Sequence, residues 1–213
     1  MAGIIALVYS HEQNRGFAPD ERSLLDRRAA ARSLVGQRIV QVAYVDIDYR
    51  GWDLGYHNQS SRRAITDAAE WSNPTWDAGA FHHLDFGIEL TTDRDETWAI
   101  TWDSPNPVDG ESIRLQRGPI GARGAVWDVT EWEPWRSCLA SPVSDVALRY
   151  HPWSDNSRGF WCTRISMFFG AARVEILLGD RDQAAALMPS ADNLAVLMDA
   201  NSVPQWERTD DLV

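Results

Sequence analysis

Residues 82–103 read HHLDFGIELTTDRDETWAITWD, and the rhythm of this stretch decides the fold class. In its first half Leu84, Phe86, Ile88 and Leu90 fall on one side of an extended chain, and His83, Asp85, Gly87 and Glu89 on the other. In its second half Trp98, Ile100 and Trp102 oppose Thr97, Ala99, Thr101 and Asp103. The polar run Thr92-Asp93-Arg94-Asp95-Glu96 between them reads as the turn of a hairpin. A period of two on both sides of a turn predicts an antiparallel pair with one face in a core and one in water.

The same rhythm recurs along the chain. SLVGQRIVQV, residues 33–42, aligns without gaps with SCLASPVSDV, residues 137–146, an offset of 137 − 33 = 104. The first copy continues through strand-like runs at 84–90, 97–103 and 112–115, the second through 162–169, 173–180 and 193–197, with Gly170-Ala171-Ala172 as a tight turn. Before the first copy, Pro19-Asp20 starts a helix with Leu24, Leu25, Leu34 and Val35 as its apolar stripe, and Gly36 stops it. Before the second, Thr130-Glu131-Trp132-Glu133 has the capping-box pattern of a short helix that holds Pro134 in its first turn. Ile4–Tyr9 fits an extra edge strand, and Gly118–Gly124 a flexible connector.

The expected fold is therefore mainly β with short helices (α+β). It is one domain over 1–213 made of an internally duplicated helix-plus-four-strand unit, with a first repeat at 33–118 and a second at 130–199. Two packed antiparallel sheets or a half-open barrel satisfy the pattern equally.

Composition narrows the partners. Twenty basic against thirty-one acidic residues give a net charge of −11, and every basic residue is Arg. A nucleic-acid binder or an anionic-membrane binder needs clustered positive charge, so neither partner is expected, whereas a basic protein is attracted. The absence of Lys excludes Schiff-base chemistry through this chain. The longest apolar run, Gly3–Tyr9, is far short of the ~20 residues of a membrane helix, and with no basic residue before it and no A-x-A-like site after it, a cytoplasmic location is expected. Cys138 and Cys162 read as reduced packing thiols.

The copies differ most between their first two strands, where the first spends Arg50 to Phe81 and the second only Tyr150 to Trp161. That long segment holds Trp52, Tyr56, Trp71 and Trp76 and the Arg62-Arg63 pair, and Ser60–Trp71 can form about three helical turns. Trp, Tyr and Arg carry interface energy, so Trp52, Tyr56, Arg62, Arg63, Trp71 and Trp76 are the candidate partner-binding residues. The competing reading is a lid folded over one open end of the sheets. Trp127, Trp132 and Trp135 cluster round the second helix and fit a seal between the copies.

No G-x-S-x-G, P-loop or G-x-G-x-x-G sequence occurs, so no catalytic residue is assigned and no cofactor is expected. No metal site is assigned either; the alternative is His83, Asp85 and Glu89, which share one strand face but also match an ordinary solvated surface.

The stretches LVGQRIVQVAYVDIDY, HHLDFGIELTTDRDETWAITWDSP and CLASPVSDVALRYHPW resemble a loose group of uncharacterised β-rich proteins of high-GC bacteria, some of which look like immunity proteins of polymorphic toxin systems. The resemblance carries over no catalytic residue; together with the Trp-rich segment and the acidic surface, the expectation is a non-enzymatic protein-binding module, an immunity-like inhibitor or adaptor that docks a basic protein partner. The alternatives are a small-molecule-binding protein or hydrolase-like enzyme with a pocket between the sheets, and a purely structural subunit.

Overall fold

A computed structural model describes residues 16–47, 62–67, 74, 76–103, 112–121, 124–152 and 159–207. Helix α1, Glu21–Ala31, begins where expected: the Asp20 carboxylate accepts from the Ser23 amide at 2.7 Å. It tightens into a 3₁₀ turn at Arg32–Leu34 and stops at Gly36, whose φ of +82° is a left-handed value that favours glycine. Leu24 and Leu34 enter the core while Leu25 and Val35 stay exposed, since adjacent helical residues cannot face the same way.

Eleven strands follow among the described residues: β1 Ile39–Asp46, β2 Arg62–Ala64, β3 Phe81–Leu84, β4 Gly87–Thr92, β5 Thr97–Asp103, β6 Ser112–Arg117, β7 Gly124–Asp128, β8 Asp145–Pro152, β9 Phe160–Phe169, β10 Ala172–Arg181 and β11 Leu187–Leu197. Helix α2, Trp135–Cys138, precedes β8. One sheet has the order β2-β7-β1-β4-β5-β6 and the other β3-β11-β10-β9-β8, so the fold is mainly β with two packed sheets and no closed barrel among the described residues. Every pairing is antiparallel except β2 with β7. Each sheet contains a helix-preceded run of four neighbouring strands, β1-β4-β5-β6 in one and β8-β9-β10-β11 in the other. The two entry segments meet: Gly36 N–H donates to Val143 C=O, and Val143 N–H to Gln37 C=O, both at 2.8 Å.

The core lies between the sheets. Tyr44, Ile88, Leu90, Trp98 and Ile100 face Ile165, Met167, Val174, Ile176 and Val196. Trp98 and the partly buried Trp102 point inward as their alternation requires, and Trp127, Trp132 and Trp135 join the same core around α2. Both cysteines are buried and free.

Four expectations are corrected. The run 84–90 is not one strand: β3 ends at Leu84 on β11 of the second sheet, the chain bends at Asp85-Phe86, and β4 continues in the first sheet between β1 and β5. Alternation reports inside against outside and carries no information about which sheet supplies the inside. Phe86 accordingly packs not inward but with Val45, Ala99, Ile120 and Val126 on the outer side of the first sheet. The outer faces are also not simply wet, because that cluster and a second one, Phe81, Leu177, Ala195, Leu197 and Val203, cover parts of both. Of the connector Gly118–Gly124, Ile120 is pressed onto the first sheet and Gly124 opens β7, while residues 122–123 lie outside the described residues. Finally, α2 has Pro134 at its N-cap and no side-chain cap; Thr130 instead bonds Asp128 and the Val42 amide, a local partner that outcompetes the expected capping box.

Candidate functional site

The residues nominated from the long segment separate. Trp52, Tyr56 and Trp71 lie outside the described residues. Arg62 and Arg63 belong to β2 rather than to a helix over Ser60–Trp71: the open edge of β7 supplies backbone partners, and pairing there outweighs a weak local helix preference. The Arg62 guanidinium donates to Glu89 Oε1 at 2.8 Å, and the same oxygen accepts from the Ile120 amide at 2.6 Å. Arg63 is half-buried beside Ala125. Trp76 is fully buried, edge-on to Tyr44, His82 and Trp132 at 4.7 to 5.2 Å, and is therefore core, not a partner contact.

Around Trp76 runs a buried hydrogen-bond chain. Trp135 Nε1–H donates to the Tyr44 hydroxyl at 2.8 Å, and that hydroxyl shares a hydrogen bond with His82 Nδ1 at 2.7 Å. Burial pushes the His82 pKa down to about 4.

His83, Asp85 and Glu89 do not converge. The break at Asp85-Phe86 puts His83 on the outer side of the second sheet and Glu89 on the outer side of the first, where Arg62 holds it. They are not a solvated row either, since Glu89 is buried and His83 and Asp85 are half-buried. His83 Nε2 lies 2.8 Å from Asp180 Oδ1 and 3.6 Å from Asp85 Oδ1. Asp46 Oδ1 accepts from the Ile47 and Asp85 amides, and burial, with the Asp85 carboxylate beside it, pushes Asp46 up to about 7. No group of three or more His, Cys, Asp or Glu side chains is arranged to hold a metal ion among the described residues.

A different cluster does converge. On the outer side of the second sheet, β8 presents Ala147 and Arg149, β9 presents Arg164, Ser166 and Phe168, and β10 presents Arg173 and Glu175. Arg149 and Arg164 are direct cross-strand partners, a like-charge juxtaposition that is unfavourable unless anions compensate it. Two buried carboxylates do so. Glu175 accepts from the Ser166 hydroxyl at 2.6 Å and lies 3.1 Å from Arg173 Nε and 3.7 Å from Arg164 Nε; burial raises its pKa. Glu207, on the 3₁₀ turn Gln205–Glu207, lies 3.7 Å from Arg149 Nε and 4.0 Å from His151 Nε2. Arg173 also donates to the Ala200 carbonyl at 2.9 Å, tying the strand to the chain after β11.

The three arginines, Ser166, Phe168 and Glu175, but not Glu207, line an open concavity of about 540 Å³, walled on one side by Ala200, Asn201 and Val203. Among the described residues the cluster sets three guanidinium groups against two carboxylates in a chain of net charge −11. Such a surface binds and orients an anionic group, because planar guanidinium forks match oxyanions in pairs of hydrogen bonds. The Ser166 hydroxyl donates to Glu175, and away from this surface burial pushes the Cys138 and Cys162 thiols up to about 11 and about 12. A smaller cavity of about 220 Å³ lies between the sheets under α1, lined by Arg27, Trp98, Leu115, Leu148 and Tyr150, with none of His83, Asp85 or Glu89 at its edge.

Sequence reading passed over the arginines because each looks like an ordinary outward residue of an alternating strand. Only the register that sets Arg149 on Arg164 and Ser166 on Glu175 brings them together. No family model, no curated protein and no solved structure matches the chain.

Proposed function

We propose that the protein is a non-enzymatic binding module that takes an anionic group into the concavity of Arg149, Arg164 and Arg173. The observation that carries this reading is the convergence of Arg149, Arg164 and Arg173 from three neighbouring strands on one concavity, since guanidinium forks match oxyanions. The concavity is within the volume range of small-ligand sites, roughly 300–1,000 Å³. The acidic remainder of the surface keeps the role expected from composition, attracting a basic protein partner as an immunity-like inhibitor or adaptor does, while the concavity engages one acidic group of that partner.

A duplication of the helix-plus-four-strand unit fits this reading and is part of the proposal. The repeated strand order supports it, and it makes the long segment after β1 and the arginines of the second sheet two separate specialisations of one scaffold. The test of function is calorimetric titration of the full chain with acetate, succinate, sulfate, inorganic phosphate and an acidic peptide at low salt. Saturable binding that weakens about tenfold or more in Arg164→Gln and Arg173→Gln is expected. Absence of saturable binding by every anion, or equal binding by the variants, refutes the site.

A further inference from the structure

The cavity of about 220 Å³ under α1 lies between β6 and β8, each the outermost strand of its sheet among the described residues. Arg27 and Ala30 of α1 stand on one side of it, Ile113 and Leu115 of β6 on another, and Leu148 and Tyr150 of β8 on a third. Trp98, Ile113, Leu148 and Tyr150 are buried, whereas Ala30, Ser33 and Arg117 are exposed, so an apolar interior opens to water past α1. Packed interiors hold few voids larger than a water molecule, so a space of this size walled by core side chains calls for an occupant. An apolar cavity of about 150 Å³ takes a benzene, and drug-sized ligands need about 300 Å³ or more. This volume falls between the two and fits a single ring with a short substituent.

The polar part of the lining sets the charge of that substituent. Among the described residues two guanidinium groups, Arg27 and Arg117, border the cavity with Ser33 and Gln116, and no carboxylate does. The Ser33 hydroxyl already donates to the Ala30 carbonyl at 2.7 Å. Arg117 lies over the Trp98 ring, 5.7 Å from its centroid, and donates to Glu96 at 2.8 Å, so its charge is matched outside the cavity. Arg27 is half-buried, and burial lowers its pKa, which makes it the cation beside which an oxyanion gains most. A guanidinium has five N–H donors, so Arg27 can serve a ligand while keeping the interactions it has within the chain.

Independently of the anion concavity on the second sheet, we infer that this cavity is a second ligand site and takes a small aryl carboxylate, with its ring among Trp98, Leu148 and Tyr150 and its carboxylate on Arg27 toward the mouth. The ring goes inward because apolar surface gains by leaving water, and the carboxylate goes outward because a buried charge is costly unless it is paired and hydrogen-bonded.

The experiment titrates phenylacetate, toluene and acetate into the full wild-type chain, Arg27→Gln and Arg164→Gln, and records nuclear Overhauser contacts from the bound phenyl ring to leucine methyl groups. Phenylacetate should bind the wild type saturably, about tenfold or more tighter than toluene or acetate, with ring contacts to Leu115 and Leu148. Arg27→Gln should weaken phenylacetate about tenfold and leave toluene unchanged, while Arg164→Gln, in the other site, should leave phenylacetate unchanged. The ring contacts are read on the wild type and stand even if a variant does not fold. No saturable phenylacetate binding, or a bound ring without contacts to Leu115 and Leu148, overturns the site. Phenylacetate weakened by Arg164→Gln and not by Arg27→Gln belongs to the concavity and likewise overturns it. Toluene binding as tightly as phenylacetate, or toluene and phenylacetate weakened alike by Arg27→Gln, overturns the carboxylate contact.

Discussion

On the outer side of the first sheet, Ile120 lies over Val45 and Ala99, and the one buried carboxylate, Glu89, is closed by the Arg62 guanidinium and the Ile120 amide. The cover is tight: a methyl group added at Gly87 would come within 2.8 Å of Ile120 and 2.5 Å of the Ile100 carbonyl oxygen. On the outer side of the second sheet the cover reaches only as far as Phe81, Leu177 and Leu197; beyond it β8, β9 and the start of β10 set three half-buried arginines round two carboxylates beside a concavity. The same architecture thus carries one sealed face and one face that stays open. A charge with all its hydrogen bonds made inside the protein contributes to stability, while one with bonds left over can engage a ligand.

The largest expected effect belongs to the sealed face. Glu89→Ala orphans the Ile120 amide and leaves Arg62 half-buried without its partner, so a loss of about 3 kcal/mol in denaturant unfolding is expected. A loss under ~1 kcal/mol would mean that water reaches this face and the contrast with the second sheet is false.

Next comes a pH effect from the interior between the faces. Asp46 titrates near 7 when folded and near 3.8 when unfolded, so its contribution to stability grows as pH falls between those values. His82 titrates near 4 when folded and near 6.5 when unfolded, so its contribution is lost as pH falls from about 6.5 to about 4. The two oppose each other across that window. Asp46→Asn, which keeps an oxygen for the Ile47 and Asp85 amides, should therefore be more stable than wild type at pH 8 and should lose about 2–3 kcal/mol between pH 7 and pH 4, where the wild type is nearly flat. Parallel profiles of the two proteins would show that Asp46 stays ionised when folded.

Ile120→Ala removes the apolar half of the seal and should cost about 2 kcal/mol, less than a central core residue because its cluster is small. Combined with Glu89→Ala, the losses should not add, since the Glu89 bond to the Ile120 backbone amide holds in place the residue whose side chain makes the packing.

The smallest effect is expected on the open face. Arg164→Met removes one of two like charges set directly opposite, and Glu175 keeps Ser166 and Arg173, so stability should change by less than about 1 kcal/mol. A loss as large as that of Glu89→Ala would make these arginines structural and erase the difference between the sheets.

Much of the fold was legible. Asp20 and Gly36 bound the first helix as read, Trp98, Ile100 and Trp102 face inward, and the strand runs other than 84–90 exist. These are local matters: capping chemistry and a period of two are written in consecutive residues. The functional candidates were less legible. Trp76 was nominated because large aromatic residues serve interfaces and cores alike, and only packing distinguishes the two uses. His83 and Glu89 share a parity, but the bend at Asp85-Phe86 moves the chain from one sheet to the other between them.

By itself the sequence determined a mainly β chain with its helices ahead of four-strand runs, a buried aromatic core and an acidic surface, because side-chain alternation, turn residues and net charge act within a few residues or through simple sums. The tertiary structure alone decided that β4 and β3 serve different sheets, that β7 recruits Arg62 into a strand, and that Arg149, Arg164 and Arg173 gather round Glu175 and Glu207. Cross-strand register joins residues far apart in the chain, and an electrostatic site arises from that register, where charges separated in sequence come close enough in a desolvated place to act together.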